Sequence, residues 1–423
     1  MNSLTSIIFN GADRLKPVLK KLLPQRFLTG IKIKMLNHGY KSLAKKGKQP
    51  FAPDRKPDGI NIIGLVKAQM GLGQSCRLLA NTLEHSSIPY MLYNFELPSA
   101  LMRSEDHSYD HKISKTLKYN INLIHINPDE MLLMYHRMSK DCWDYCYNIA
   151  FWLWELEEIP ESWHKYFSML DEIWTPSEFI SRNLRKVTNL PVKTIPYWVT
   201  AQTSPVFDRG FFKLPENQFL FLTMYDSNST MERKNPMGAV NAFKNAFSPL
   251  DTHVGLVLKI NNARSEDLEI LHESLKEYSN VYYITETLEK IAVNSLIKCC
   301  DVFVSLHRAE GFGLVMAEAM LVGTPCIATN WSSNTEFMDK NVACMIDYTF
   351  TRLKKDCPPY KKGAVWAEPD ILQASEYMKQ LVDDKKFYKQ ISDKAYCYIS
   401  NKLGMKQAVE KIEERLVQIY KKD

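Results

Sequence analysis

Short apolar runs alternate with amphipathic stretches along most of the chain. After the Pro- and charge-rich "PFAPDRKPDG", runs such as "INIIGLV" have the composition of buried strands, and stretches such as "QSCRLLANTLEHS" have helical spacing. This alternation predicts β-α-β units and a parallel sheet. The first series of predicted strands comprises 60–66, 90–95, 121–127, 147–155, 172–177 and 192–199, with helices in "EMLLMYHRM", "SWHKYFSML" and "EFISRNLRKV".

A second series begins after a segment punctuated by Pro191, Pro196 and Pro205. Its predicted strands are 219–225, 254–260, 281–285, 301–307 and 325–329, and its predicted helices are 236–247, 265–278, 288–298 and 313–322. From Ile371 onward the pattern is helical, most clearly in "QAVEKIEERLVQIYKK". The sequence therefore predicts an α/β fold of two facing, doubly wound, Rossmann-like domains with a ligand cleft between their strand ends.

Four parts of the chain follow from this pattern. They are a basic leader over 1–58, a first domain over 59–204, a second domain over 205–370, and C-terminal helices over 371–423. We expect the C-terminal helices to pack back toward the first domain.

Composition narrows the class of protein. With 45% hydrophobic and 24% charged residues, the chain is an ordinary globular protein, which excludes collagen-like, low-complexity and largely disordered proteins. Nine cysteines without a Cys-x-x-Cys pair indicate neither a disulfide framework nor a zinc knuckle. No apolar run approaches the ~18 residues of a spanning helix, so we expect a cytoplasmic protein, soluble or peripheral to the membrane.

Positive charge is concentrated in the leader. Residues 1–58 carry 13 Lys and Arg against three Asp, a net charge of +10, whereas the whole chain has +6. Leu, Ile, Phe and Met interleaved with these cations suit an anionic membrane surface, such as the inner face of the cell membrane. The alternative is a solvated leader, because Pro24 and Gly30 break any helix. No recognition module accompanies the charge, so nucleic acid is not an expected partner.

The stretch "SLHRAEGFGLVMAEAMLVGTPCIAT" carries the most specific chemistry. Glu310 precedes Gly311, Phe312 and Gly313, a helix then begins, and Glu318 lies eight residues after Glu310. The two carboxylates are at most about 12 Å apart along the helix axis, which matches the span from the sugar to the ribose of a nucleotide sugar. The glycines let the backbone approach a ligand, and the N–H groups that open the helix favour a diphosphate.

This stretch resembles the glutamate–seven residues–glutamate signature of retaining glycosyltransferases of family 4, of group 1 type, which have the GT-B fold. The resemblance implies that the first domain binds the acceptor and the second binds the donor. It also implies that Glu310 contacts the transferred sugar and that Glu318 binds the donor ribose. A nucleotide-diphosphate sugar is then the co-substrate, with no separate cofactor. The family's pair of cations that stabilises the departing nucleotide implies Lys234 in "MERKNP" and Lys259 in "LVLKINN", with Arg233 a neighbouring donor-binding residue.

The first domain offers a glycine loop in "KAQMGLGQSCRLL". As a dinucleotide fingerprint it fails, because Cys76 stands at the third glycine position, so NAD binding is not expected. The resemblance implies that Gly71 and Gly73 approach the donor phosphates or the acceptor. A tight turn that requires a positive φ is the alternative for Gly71.

The run "FWLWELEEIPESW" supplies candidates for the acceptor side. Alternation along a strand sends Trp152 and Trp154 to one face. Many members of the family carry a histidine at the end of this strand, and Trp154 and Glu155 stand there in this chain. An acceptor subsite and a packed aromatic core are both open for these residues. His125 and His136 are further candidate cleft residues, with structural roles as the alternative.

The chain has no Asp-x-Asp triplet and no clustered histidines, so no metal site is predicted. Lys234, Lys259 and the helix start would stabilise the leaving group instead. We expect a metal-independent retaining glycosyltransferase that acts on a glycan or lipid-linked glycan in bacterial envelope or extracellular polysaccharide synthesis. The alternative is a catalytically silent sugar-binding or scaffolding protein that keeps the GT-B shape.

Overall fold

The computed structural model describes residues 47–96, 104, 106–138 and 142–421. The predictions of a membrane-bound or solvated leader over 1–58 fall mostly on residues 1–46, which lie outside the described residues. Among the helices that are described, none has both the length and the apolar character needed to cross a bilayer.

The first sheet has six parallel strands in the order β2-β1-β3-β4-β5-β6. Its central strands are buried on both faces, which is why they have largely apolar sequences. They are β1 Ile60–Gly64, β2 Tyr90–Asn94, β3 Ile121–His125, β4 Tyr147–Phe151, β5 Glu172–Thr175 and β6 Val192–Thr194. The helices between them are α1 Gly71–Glu84, α2 Pro128–Arg137, α3 Glu161–His164 and α4 Glu178–Arg185.

The segment after β4 differs from the prediction. The strand ends at Phe151 and not at residue 155, so the expected alternation of Trp152 and Trp154 along a strand is wrong. Both indoles are buried in the connection, where their rings lie 5.4 and 5.1 Å from the ring of Trp163. The helix predicted in "SWHKYFSML" is reduced to α3 and a single 3-10 turn at Phe167–Met169, since aromatic packing organises this connection.

Three buried asparagines fix the register of the first sheet. Asn61, Asn122 and Asn148 lie opposite one another on β1, β3 and β4. The amide of Asn61 donates to Asn122 at 2.9 Å, and the amide of Asn122 donates to Asn148 at 2.8 Å. The ladder ends on the carbonyls of Tyr119 and Trp143. A one-residue slip would leave these buried amides unpaired, so the ladder favours a single register.

The second sheet also has six parallel strands, in the order β12-β11-β10-β7-β8-β9. The chain moves outward from β7 and then returns to the other side of β7 at β10, so the loops after β7 and β10 meet at a switch point. The strands are β7 Phe219–Asp226, β8 Val254–Asn261, β9 Val281–Ile284, β10 Val302–Ser305, β11 Cys326–Thr329 and β12 Cys344–Ile346. The helices are α5 Met231–Lys234, α6 Pro236–Ala246, α7 Ser265–Leu275, α8 Lys290–Cys299 and α9 Leu314–Leu321.

An antiparallel hairpin that the sequence analysis missed follows this sheet. It pairs β13 Tyr348–Arg352 with β14 Val365–Pro369. The guanidinium of Arg308 binds the carboxylate of Glu368 on β14, and the N–H of Ala367 donates to the carbonyl of Arg308 at 3.0 Å. The hairpin is thereby attached to the loop after β10.

Three helices complete the described chain, and the last returns to the first sheet. They are α10 Ile371–Asp383, α11 Lys385–Lys402 and α12 Met405–Tyr420. Arg415 on α12 forms a buried ion pair with Glu172 of β5, and the hydroxyl of Tyr420 donates to Asn120 at 2.8 Å.

Candidate active site

The short helix α5 lies at the switch point of the second sheet. It is flanked by Thr230 with φ +65° and Asn235 with φ +51°. A positive φ is costly for a β-branched residue, so the surrounding structure must hold this turn in place. The amide of Asn235 donates to the carbonyl of Leu306 at 2.8 Å, which fixes α5 beside the loop after β10. The turn presents Arg233 and Lys234 to that loop.

Glu310 is the partner of both cations. The ammonium of Lys234 contacts its Oε1, and Nη1 of Arg233 lies 3.5 Å from the same oxygen. Its backbone N–H donates to Oγ of Ser332 at 2.9 Å, which holds the loop. Burial raises the pKa of Glu310, but Lys234 and Arg233 outweigh it, and the pKa falls to about 2. The carboxylate is therefore ionised at neutral pH and acts only as a hydrogen-bond acceptor.

Arg233 is buried between two glutamates. Its Nη1 donates to the carbonyl of Ala309 at 2.9 Å, and its Nη2 lies 3.8 Å from Oε1 of Glu155. Glu155 belongs to the first domain and Glu310 to the second, so the guanidinium holds two carboxylates from opposite sides of the cleft. The guanidinium of Arg233, predicted as a donor-binding residue, is thus directed toward protein carboxylates.

The glycine turn packs directly against the first domain. Gly313 has φ +94° at the start of α9, where a Cβ would lie 2.5 Å from Cε of Met316 and 3.2 Å from Cβ of Asn334. A Cβ on Gly311 would lie 3.7 Å from Cγ of Glu155. Phe312 is buried, and its ring meets the edge of Tyr197 at 4.9 Å. The turn thus combines a conformation that favours glycine with a close contact across the cleft.

Glu318 on α9 is 1% exposed and carries an oxygen without a hydrogen bond. Lys290, the first residue of α8, contacts Oε1, whereas Oε2 has no hydrogen-bond partner in the described part of the chain. Burial raises the pKa of Glu318, and Lys290 opposes this rise. The sequence analysis missed Lys290, although it lies in the first turn of the predicted helix 288–298, which comes just before the strand that leads to the glycine loop.

Lys259 lies at the carboxyl end of β8, two strands away from β10. Its side chain is fully buried, and its ammonium donates to Oδ1 of Asn261 at 2.5 Å. Burial lowers its pKa to about 8, although Glu286 and Asp226 act in the opposite direction. The sequence predicted that both lysines stabilise the leaving group. Among the described contacts, Lys234 pairs with Glu310, whereas Lys259 donates to Asn261.

Gly71 and Gly73 lie in the first turn of α1 and not before it. Neither has a positive φ, so the tight-turn alternative for Gly71 is wrong. A Cβ on Gly73 would lie 2.0 Å from the carbonyl oxygen of Ala68, whereas a Cβ on Gly71 would meet nothing within 4 Å. Gly73 is thus required by backbone packing, and Gly71 leaves open space at the start of the helix.

Trp154 and His125 both belong to packed clusters. The indole N–H of Trp154 donates to the carbonyl of Glu158 at 2.8 Å, and its ring lies 5.5 Å from Tyr360 of the hairpin. His125 is fully buried, with Nε2 2.6 Å from Oγ of Ser75, and burial lowers its pKa to about 4. It is therefore neutral at pH 7. The side chain of His136 lies outside the described residues.

The described residues contain no group of three or more His, Cys, Asp or Glu side chains placed to hold a metal ion.

Comparison with known proteins identifies the class. Residues 227–397 match the sequence model of the family described as "Glycosyl transferases group 1", and no curated protein matches the sequence. HepE of Anabaena, in complex with UDP and glucose, is similar in fold, with a TM-score of 0.63, 12% identity, and coverage of 85% of this chain and 100% of that chain. Sucrose-phosphate synthase of Thermosynechococcus elongatus gives a TM-score of 0.64 at 13% identity, with coverage of 86% and 99%.

A glycosyltransferase of Rickettsia africae is also similar, with a TM-score of 0.61, 14% identity, and coverage of 87% of this chain and 100% of that chain. The protein therefore has the GT-B fold of glycosyltransferases, as the sequence predicted. The match over residues 227–397 includes residues 305–329 and so confirms the resemblance drawn from them.

Proposed function

We propose that the protein is a retaining, metal-independent glycosyltransferase. It moves a sugar from a nucleoside-diphosphate sugar to a hydroxyl of a glycan or lipid-linked glycan, in bacterial envelope or extracellular polysaccharide synthesis. The observation that carries the proposal is the convergence of Lys234, Arg233 and Glu310 at the switch point, beside the start of α9. HepE of Anabaena, which shares the fold, has been crystallised with UDP-glucose, a ligand of this kind.

Each group has a role in binding the donor. The ionised Glu310 accepts hydrogen bonds from hydroxyls of the transferred sugar. Oε2 of Glu318, which is buried without a partner, accepts from the ribose. The diphosphate lies at the start of α9, where free N–H groups favour an anion, with Lys234 beside it. Lys234 then divides its contacts between Glu310 and the phosphate.

The reaction follows from this placement. The bond from the anomeric carbon to the phosphate oxygen breaks, and the acceptor oxygen bonds to the same face of the sugar. The acceptor proton passes to the departing phosphate oxygen. Negative charge grows on the diphosphate during this step, and Lys234, Lys259 and the start of α9 stabilise it through fixed positive charge.

Nucleotide release tests the proposal. Nucleoside diphosphates are first screened by thermal shift, because a ligand of the folded state raises its apparent stability. The sugar donors of the nucleotide that binds are then assayed for nucleoside-diphosphate release in the presence of a panel of glycan and lipid-linked glycan acceptors, with water as the background acceptor. We expect Glu310→Gln to lower kcat by about 10²-fold, a loss typical of a group that stabilises the transition state, with nucleotide affinity little changed. The exposed Glu266→Gln on α7 serves as control.

Two results would contradict the proposal. If the wild-type protein binds the donors but releases no nucleotide, it is the catalytically silent sugar-binding protein that the sequence left as the alternative. Release that Glu310→Gln leaves unchanged places the chemistry elsewhere in the molecule.

Lys259 predicts a pH dependence of donor binding. Its pKa of about 8 in the folded protein leaves a large neutral fraction above pH 8, and a bound diphosphate favours the ammonium. We expect the affinity for UDP to fall up to about tenfold from pH 7 to pH 9, with proton uptake on binding at pH 8.5. Titration calorimetry in two buffers of different ionisation enthalpy measures this uptake. Lys259→Met should abolish it, and equal uptake by both proteins would show that Lys259 does not face the diphosphate.

A further inference from the structure

A carboxylate of the first domain lies against the proposed sugar pocket. A Cβ on Gly311 would be 3.7 Å from Cγ of Glu155 and 3.7 Å from the carbonyl oxygen of Trp154, so the segment after β4 touches the turn that follows Glu310. The Glu155 side chain is 23% exposed, whereas that of Glu310 is 10% exposed. Glu155 is therefore the more accessible of two carboxylates on either side of the turn.

Two neighbours fix the position of Glu155. Nη2 of Arg233 lies 3.8 Å from its Oε1. The hydroxyl of Tyr360, in the loop between β13 and β14, also hydrogen-bonds to it. Burial is the main cause that raises the pKa of Tyr360, so its hydroxyl is protonated at neutral pH and donates to Glu155. Tyr360 thus holds the carboxylate from the second domain.

The local charges balance without a ligand. Arg233 and Lys234 are matched by Glu155 and Glu310, and Arg308 in the same loop is bound to Glu368. Hydroxyl groups of an uncharged sugar donate readily to the two carboxylates. A sugar with its own carboxylate would add, beyond the charge of the diphosphate that Lys234 contacts, a negative charge beside Glu155 and Glu310, where Arg233 and Arg308 already have protein partners. Repulsion between the sugar carboxylate and these two glutamates therefore lowers the affinity for such a donor.

We propose that Glu155, together with Glu310, restricts the transferred sugar to an uncharged one and rejects a donor whose sugar carries a carboxylate. Tyr360 is a positioning residue that acts through Glu155. This inference rests on the proposed function, because it concerns the sugar pocket of the same site.

A pair of donors that differ only at C6 tests the inference. UDP-glucose has a hydroxymethyl group there, and UDP-glucuronic acid has a carboxylate. Dissociation constants of the full-length protein are measured by titration calorimetry at pH 7.5. We expect UDP-glucose to bind at least about tenfold more tightly, and Glu155→Gln to reduce this ratio about fivefold, mainly through tighter binding of UDP-glucuronic acid. Tyr360→Phe should also reduce the ratio of the two dissociation constants, but by less than Glu155→Gln does.

The control is Glu157→Gln, two residues further along, where the carboxylate is exposed and lies 3.9 Å from Arg182. It should leave the ratio unchanged. Equal affinities in the wild type, or a ratio that neither Glu155→Gln nor Tyr360→Phe alters, would overturn the inference. If neither donor binds, the measurement is repeated with GDP-mannose and GDP-mannuronic acid. If no nucleoside diphosphate of the thermal-shift screen binds, the proposed function fails, and the inference with it.

Discussion

Replacement of Lys234 by alanine is expected to lower kcat by about 10²- to 10³-fold, the range found when a fixed stabilising charge is removed from an active site. Lys234 lies on the strained turn after β7, and its ammonium contacts Glu310. The variant loses stabilisation of the departing diphosphate at the moment when its charge grows. The Lys234 side chain is 23% exposed, and Arg233 remains 3.5 Å from Glu310, so the carboxylate keeps a cation and the variant should still fold. Steady-state release of nucleoside diphosphate measures the effect.

The same variant should acquire a new pH dependence. Lys234 is the main group that opposes the effect of burial on Glu310, and without it the pKa of Glu310 rises from about 2. A protonated fraction then appears in the acid range, so the residual activity should increase as the pH rises through that range. The control is Lys244→Ala, which removes an exposed ammonium that binds the carbonyl of Ser274. A Lys234→Ala enzyme with more than about a third of the wild-type kcat, or with the wild-type pH profile, would contradict the assignment.

Much of the fold follows from the sequence because both sheets are parallel and their central strands are buried on both faces. Strands of this kind have continuous apolar sequences, and amphipathic helices separate them. The convergence of Lys234 and Glu310 was also accessible, since β7 and β10 are neighbours in a parallel sheet and the loops at their carboxyl ends meet. Gly313 was recognisable as a glycine at a strand-to-helix turn, and its φ of +94° explains why glycine is required.

The end of β4 was not predictable from composition. "YNIAFWLWE" is apolar throughout, and a buried strand cannot be distinguished from a buried connection by such a run. The indoles of Trp152 and Trp154 lie against Trp163, which comes from the next segment, so packing after the strand decides where it ends. The hairpin β13–β14 has alternating sequences in "YTFTR" and "VWAEP", but a long Pro- and Lys-rich loop separates them.

Contacts between the two domains could not be predicted from local sequence patterns. Glu155 follows a strand of the first sheet, Arg233 follows a strand of the second, and Tyr360 lies in the hairpin loop. Each segment indicates only its own secondary structure, and the distance from Glu155 to Arg233 depends on how the two domains face each other. A candidate residue such as Glu155 could therefore be named from the sequence, but its partners could not.

Arg415→Met is expected to lower the free energy of unfolding by about 3–5 kcal/mol, because it leaves a buried carboxylate without its cation. Glu172 is fully buried, and Arg415 binds it through two nitrogens, with Nε at 2.7 Å from Oε1. The hydroxyl of Tyr147 and the indole N–H of Trp174 donate to the same carboxylate, but neither supplies a positive charge. The ion pair also joins α12 to the first sheet, so its loss should loosen the return of the C-terminal helix.

Denaturant titration followed by tryptophan fluorescence measures this loss, since Trp174 is hydrogen-bonded to the affected carboxylate. The double variant Arg415→Met and Glu172→Leu removes both charges and should recover part of the stability, because the cost comes from the unpaired charge. Lys411→Met on the same helix removes an exposed pair with Glu414 at 3.3 Å, and it should cost no more than about 0.5 kcal/mol. If Arg415→Met cost as little as Lys411→Met, the ion pair with Glu172 would not be what holds α12 against the first sheet.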